Sequence, residues 1–418
     1  MRDDELHMQS FAKPVPQRVL SIDVLRGITI AFMILVNDPG DWNHVYSQLD
    51  HAPWNGFTCT DLVFPSFLFL VGASIIFSLQ SRIARGESKQ SLALHIFRRA
   101  AILFAIKMFL TAFPHFHWTH LRLYGVLTRI ALCYLAAGLI CLITQRARTL
   151  LAITAALLIG YWALMRFVPV PGFGVPTHAI PILDPDRNLA AWLDRAVSAF
   201  TERWFHTGRL YEITRDPEGL LSTLPAIATT LIGAITALWM RMKKEPVPSF
   251  VTERYPKAGF FSTVLVLTVS GVLWLATGLL WNQWFPINKN LWTSSYVLYA
   301  AGWSLLLLAL FYYLIDIRHA NQTKAGKWLL FPWQVFGSNA IFAFVFSNFI
   351  VELMLWIKVP SGDPANPKPI TAWFWIYHNL FARHQSTELT SVAFGLAFVV
   401  FCFIPTWVLY RKHIFLKI

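Results

Sequence analysis

Ten apolar runs recur along this chain of 418 residues. A helix of about 20 apolar residues covers the roughly 30 Å of hydrocarbon in a bilayer. Inside that layer only a helix or a closed barrel satisfies every backbone polar group. The runs fall at about 20–37, 61–80, 98–113, 123–143, 149–167, 220–240, 258–281, 292–316, 333–357 and 389–410. Composition agrees: 56% of residues are hydrophobic and 14% charged, which no ordinary soluble domain matches. The expected fold is all-α, a polytopic bundle of about ten transmembrane helices. An eleventh element enters if the stretch AWFWIYHNLFAR (within 371–382) is re-entrant or interfacial.

The net charge of +13 could suggest nucleic acid, but its distribution argues against that partner. Arg82, Arg85, Lys89, Arg98 and Arg99 form one basic cluster, and Arg146 and Arg148 the next. Arg241, Lys243, Lys244, Arg254 and Lys257 follow, then Arg318, Lys324 and Lys327, then Arg411, Lys412 and Lys417. These lie in alternate short loops, whereas 38–60 contains no Lys or Arg. That is the positive-inside pattern. It predicts an integral membrane protein with both termini cytoplasmic, in a bacterial inner membrane, and it places residues 38–60 outside. The polar segment 1–18 is expected to be a cytoplasmic tail, with no apolar core of a cleavable signal.

The chain divides on this reading into a first five-helix half (19–167), an extracytoplasmic loop or small cap (168–219) and a second five-helix half (220–418). A loop of fifty residues is more often functional than a tether. Two halves of five spans have opposite orientation, as in transporters built from inverted repeats, although no motif of one half recurs in the other. Cys133, Cys141 and Cys402 fall in spans and Cys59 has no outer partner, so neither a disulfide framework nor a zinc site is expected. His115, His117 and His120 lack standard zinc spacing and an adjacent carboxylate, so no metal is predicted.

Ionisable groups within spans are costly, on the order of 2.5–3.5 kcal/mol each. Asp23 and Arg26 stand three apart on one helix face, either as a local ion pair or with Arg26 turned to an anion. Lys107 and Arg129 lie deeper and either face an interior polar site or pair and snorkel. The loop 37–61 is the most unusual stretch, because it brings Asn37, Asp50, His51, Asn55 and Asp61 to the edge of the hydrocarbon. An imidazole titrates near neutrality and suits proton transfer. Asp50 or Asp61 could fix its tautomer, and Asn37 or Asn55 could donate to a developing oxyanion. A satisfied interfacial histidine is the alternative. Trp42 and Trp54 read as interfacial anchors. In RDPEGLLSTLPAI, Asp216 reads as an N-cap with Pro217 and Glu218 in the first turn, or Glu218 meets an acceptor. Asn288, Lys289 and Asn290 cluster at the start of the eighth span. Asn339 either bonds between helices or lines a cavity.

These stretches together resemble one family. SIDVLRG followed by HAPWNGFTCTDLVFPSFLFLVGASI, then DPEGLLSTLPAI, PINKNLWTSSYVLYAAGW and FGSNAI, is similar in order to the transmembrane acyltransferases related to heparan-α-glucosaminide N-acetyltransferase. The resemblance runs from about residue 18 to the last span. It implies transfer of acetyl from cytoplasmic acetyl-CoA to an amino sugar across the membrane, with no metal. His51 then takes the position of the family's active-site histidine and Asn37 that of the asparagine beside it. Acetyl-histidine and direct transfer both stay open. Coenzyme A phosphates require basic partners, for which Arg26, Arg98, Arg99 and Arg146 are candidates, with Lys107 and Arg129 deeper. Asn55, Glu218, Asn288, Asn290 and Asn339 are the acceptor-side candidates. The stretch DPGDWNHVYSQLD is acidic and longer than its human counterpart, so a glycan amine or hydroxyl other than heparan sulfate is the expected acceptor. The rival is a sugar permease that binds through the same groups without chemistry. Oligomeric state is open, with a homodimer as one option.

Overall fold

A computed structural model describes residues 19–119, 121–242, 258–361 and 368–416. The tail 1–18, His120, Lys243, Lys244, Arg254, Lys257 and Lys417 lie outside the described residues. The chain is all-α: α1 (Leu20–Asn37), α2 (Cys59–Ala84), α3 (Lys89–Ala112), α4 (Val126–Ile143), α5 (Ala147–Phe167), α6 (Leu189–Phe205) and α7 (Thr223–Met242). Then come α8 (Ala258–Trp281), α9 (Ser294–Phe311), α10 (Lys324–Ser338), α11 (Ala340–Trp356), α12 (Ala372–Ile376) and α13 (Glu388–Arg411). A two-residue hairpin pairs Lys358–Val359 with Ile370–Thr371.

Eight described helices are long and apolar enough to cross a membrane, and α10 with α11, bent by 78°, makes a ninth. The tenth expected span corresponds to α3, which is long enough at 24 residues. Every 18-residue stretch of it holds three basic residues among Lys89, Arg98, Arg99 and Lys107, so it falls short on apolarity. The stretch 371–382 is no further span. It forms the five-residue α12 and a π-helical turn, Tyr377–Phe381, packed on α13 through Trp373 and Tyr377.

Helices α2 and α7 form the centre, with 72% and 78% of their apolar windows buried, against 22% for the peripheral α8. Their contact is close because both carry glycine where they cross. A Cβ on Gly72 would stand 1.8 Å from the Thr230 carbonyl oxygen, and one on Gly233 1.8 Å from that of Phe69. The α1–α10 crossing repeats the device with Gly27 against Trp333 and Gly337 against Asp23. With lipid as apolar as leucine, such backbone approach is a main source of helix association in membranes.

The connections 38–58, 113–125, 168–222 and 282–293 gather at one end of the bundle. Trp54 Nε1 donates to Leu183 O at 2.8 Å, the Gly56 amide to Ile287 O at 2.9 Å, and the Gly208 amide to Leu121 O at 2.9 Å. A small second core, including Tyr161, Met165, Leu183, Phe285 and Leu291, seats the segment holding α6 on that end. At the opposite end the Ser21 amide donates to Asp316 at 3.2 Å and Gln80 to Gln145 at 2.9 Å.

Candidate functional site

The loop between α1 and α2 is fixed at both ends by carboxylates. Asp41 accepts from the Asn43 amide at 2.9 Å and from Ser386 Oγ at 2.6 Å, and contacts His44 Nδ1 at 2.8 Å. Desolvation raises its carboxyl, but the Ser386, Asn43 and His44 contacts outweigh that and hold it down at about 2. Asp61, fully buried in the first turn of α2, holds the other end. Its Oδ2 accepts from the Thr58 amide at 3.0 Å, closing a capping box, and from the Ala52 amide at 3.1 Å. Its Oδ1 lies 2.8 Å from His51 Nδ1. That bond fixes Nδ1 as the protonated nitrogen and leaves the lone pair on Nε2.

His51 opens on a cavity of about 340 Å³ between the loop and the α6 segment. Asp50, Trp54, Asp194, Tyr211, Glu212, Asp216, Ser222 and Asn290 are among its walls. Four carboxylates, with Arg215 as the one basic side chain among the walls, suit it to an amine or to sugar hydroxyls. Asp194 is 2% exposed, and its Oδ1 accepts from the Leu220 amide at 3.0 Å. Burial pushes its carboxyl up to about 7. Asp216 is held bidentately by Arg122 at 2.7 and 2.8 Å, and Glu218 meets the same guanidinium at 2.5 Å.

The residues predicted from sequence divide into groups. Asp50, His51, Asp61 and Asn290 stand together at the cavity. Asn55 and Asn288 are joined behind it, with Asn288 Nδ2 donating to Asn55 Oδ1 at 3.2 Å. Asn288 is fully buried and its Oδ1 accepts from the Leu291 amide at 2.9 Å, so it shapes the turn. Glu218 is one step removed, through Arg122 and Asp216. Asn37 is exposed at the end of α1 and is not among the cavity's walls.

The basic candidates are not among the cavity's walls. Arg26 is committed to Asp23 at 2.8 Å and to the Gly337 carbonyl at 2.9 Å. Arg98 and Arg146 are exposed, while Arg99 stacks over Tyr134 at 4.6 Å with its Nε buried and unbonded. Lys107 donates to Thr111. Arg129, 1% exposed, donates to Ser222 and to the Gly219 carbonyl, and lies 5.0 Å over Trp292. Its Nε and Nη1 are buried without a hydrogen-bond partner. Asn339 sits at the bend between α10 and α11, where it donates to Ile414 O at 3.0 Å and accepts from the Leu416 amide at 2.9 Å. It fastens the C-terminal segment, away from the His51 cavity.

Two sequence expectations change. The helix expected to start at Asp216 begins at Thr223. Arg129 on the Gly219 carbonyl and Asp194 on the Leu220 amide hold 216–222 as turns instead. Trp54, expected as an interfacial anchor, docks the α6 segment: its Nε1 bonds Leu183, and Arg215 lies 5.2 Å over its ring. Sequence reasoning passed over Lys289, whose Nζ stands 2.8 Å from His51 Nε2 and 3.1 Å from Nδ1. It also missed Asp194. The only signal for Lys289 was its place in the NKN triplet. Among the described residues no group of three His, Cys, Asp or Glu could hold a metal ion.

Comparison with known proteins gives the family. Residues 18–267 match the family described as heparan-alpha-glucosaminide N-acetyltransferase, catalytic. Heparan-alpha-glucosaminide N-acetyltransferase of Homo sapiens is 28% identical over 373 residues, covering 79% of this chain and 53% of that protein. Its Mus musculus counterpart is 28% identical over 367 residues, covering 78% and 53%. The chain thus spans about half the length of the curated relatives it matches.

Proposed function

From the premise that this chain belongs to the heparan-alpha-glucosaminide N-acetyltransferase catalytic family, we propose that it is an integral membrane acetyltransferase. It takes acetyl from cytoplasmic acetyl-CoA and delivers it to an amino sugar or related glycan acceptor on the opposite face. The observation that carries this reading is the His51–Asp61 bond of 2.8 Å beside a carboxylate-walled cavity.

The residues fit the roles. Asp61 keeps the proton on Nδ1, so His51 Nε2 can accept a proton from the acceptor or receive the acetyl itself. Asp50 and Asp194 offer acceptors for an amine and its neighbouring hydroxyls, and Asn290 offers both donor and acceptor. Coenzyme A brings phosphates that need cations outside hydrocarbon. Arg98, Arg99 and Arg146 suit that part, while the unbonded donors of Arg129 suit the carbonyl end of the donor nearer His51. Asn37 has no contact that supports an oxyanion role in this arrangement, and Arg26 is already engaged by Asp23 and Gly337.

His51→Ala in the full-length protein tests the reading. General base or nucleophilic loss predicts at least a ~100-fold fall in acetyl transfer, with the thermal unfolding temperature kept. Transfer at the original rate removes His51 from the chemistry. Movement of unmodified sugar across vesicles carrying the protein would favour the permease.

A further inference from the structure

The turn 288–292 is built to aim Lys289. Asn288 is fully buried and closes the turn through the Leu291 amide, while Thr293 Oγ1 accepts from the Asn288 amide at 3.0 Å. Tyr161 donates to the Leu291 carbonyl at 2.5 Å. Trp292 adopts φ 51°, a left-handed conformation that a bulky residue holds only when its surroundings enforce it. Here Thr229 accepts from its Nε1 at 3.1 Å, and Phe64 and Tyr296 pack edge-on at 5.2 Å. The strain is held in place by buried contacts, and its outcome is an ammonium against the His51 ring, 2.8 Å from Nε2 and 3.1 Å from Nδ1.

We propose that Lys289 is the proton carrier of this active site: its ammonium protonates the departing coenzyme A thiolate, and its amine then recovers a proton that His51 has taken from the acceptor. The proposal rests on the acetyltransferase reading. In direct transfer the acceptor nitrogen attacks the thioester carbonyl, and a C–N bond forms. The C–S bond breaks with its electron pair going to sulfur. The acceptor proton passes to His51 Nε2 and the Lys289 proton to the thiolate. Imidazolium then returns its proton to the Lys289 amine, restoring both groups. If the acetyl pauses on Nε2, the same two protons move, with the neutral Lys289 taking the acceptor proton directly.

Lys289 faces His51 and Asp61 from the loop and α2, Glu218 from the α6 segment and Arg129 from α4. Burial draws its ammonium below the usual lysine range, and Arg129 adds to that, while Asp61 and Glu218 oppose it. A lysine so placed exchanges protons nearer neutral pH than an exposed one does.

The test compares wild type, His51→Ala, Lys289→Gln and Lys289→Arg in proteoliposomes with acetyl-CoA, against a panel of amino and neutral sugars that includes glucosamine. Both Lys289 variants are expected to lose about 10²–10⁴-fold in kcat, because arginine keeps the charge but cannot release a proton. Wild type should also show an alkaline limb in its pH–rate profile that Lys289→Arg lacks. Misfolded protein lowers the rate equally at every pH, so the profile is independent of folding losses. Recovery by Lys289→Arg to within tenfold of wild type, or an alkaline limb shared by both, overturns the proton carrier alone. A wild type inert with every acceptor, or an undiminished His51→Ala, overturns the acetyltransferase reading and this proposal with it.

Discussion

Asp61 gives two services with one carboxylate. One oxygen closes the capping box of α2 and holds the Ala52 amide, and the other fixes the tautomer of His51. Asp194 works in a different way. Its folded value near 7 lies above the ordinary 3.8, so the folded state binds the extra proton. Its penalty on stability is therefore absent below about pH 4, grows through the interval and is complete above about pH 7. Asp194→Asn keeps an oxygen for the Leu220 amide and removes the charge. It should raise the unfolding temperature by a few degrees at pH 8 and leave it unchanged at pH 4, by calorimetry in detergent. The same substitution should raise KM for an amine acceptor if the carboxylate meets it. At this scale the sequence was readable where neighbours in the chain do the work. His51 and Asp61 are ten apart and joined by a local cap. Lys289 meets His51, and Asp194 the cavity, only through tertiary packing, which no local spacing encodes.

Helices were the most legible level, since the hydrophobic runs needed for a bilayer leave little choice of structure. Their ends were less so. Residues 216–222 carry good helix-start chemistry, yet bonds from Arg129 and Asp194 hold them as turns. The close crossings were not read at all, because a glycine in an apolar run does not announce what lies opposite. They make a prediction of their own. Gly72→Leu places a side chain on the Thr230 carbonyl and should destabilise the α2–α7 contact by about 1–3 kcal/mol. Gly160→Leu on α5, where a Cβ meets nothing within 4 Å, is the control and should be neutral. Melting temperatures of the two purified variants decide it. Equal losses would show that space at the crossing is not what Gly72 provides.

For the whole molecule, the sequence reading puts the basic loops on one face of the membrane and the loop of His51 on the other. The proposed function makes this polarity vectorial. Proteoliposomes of defined orientation, with labelled acetyl-CoA confined to the side of Arg98 and Arg146, should deliver label to glucosamine confined on the other side. Label appearing only when both reactants share a side would remove the transmembrane route. The two ends also differ in how they are built. Around His51, separate stretches of chain are stitched together by buried side chains. Away from it, α9 finishes in a π-helical turn, Tyr312–Ile317, and α10 breaks into α11 at Asn339. Such interruptions loosen the regular ladder of backbone bonds. Under the proposed function, the end stitched together around His51 is the vessel in which acetyl would change hands, and the compliance to admit a bulky nucleotide would belong to the stem on which it stands.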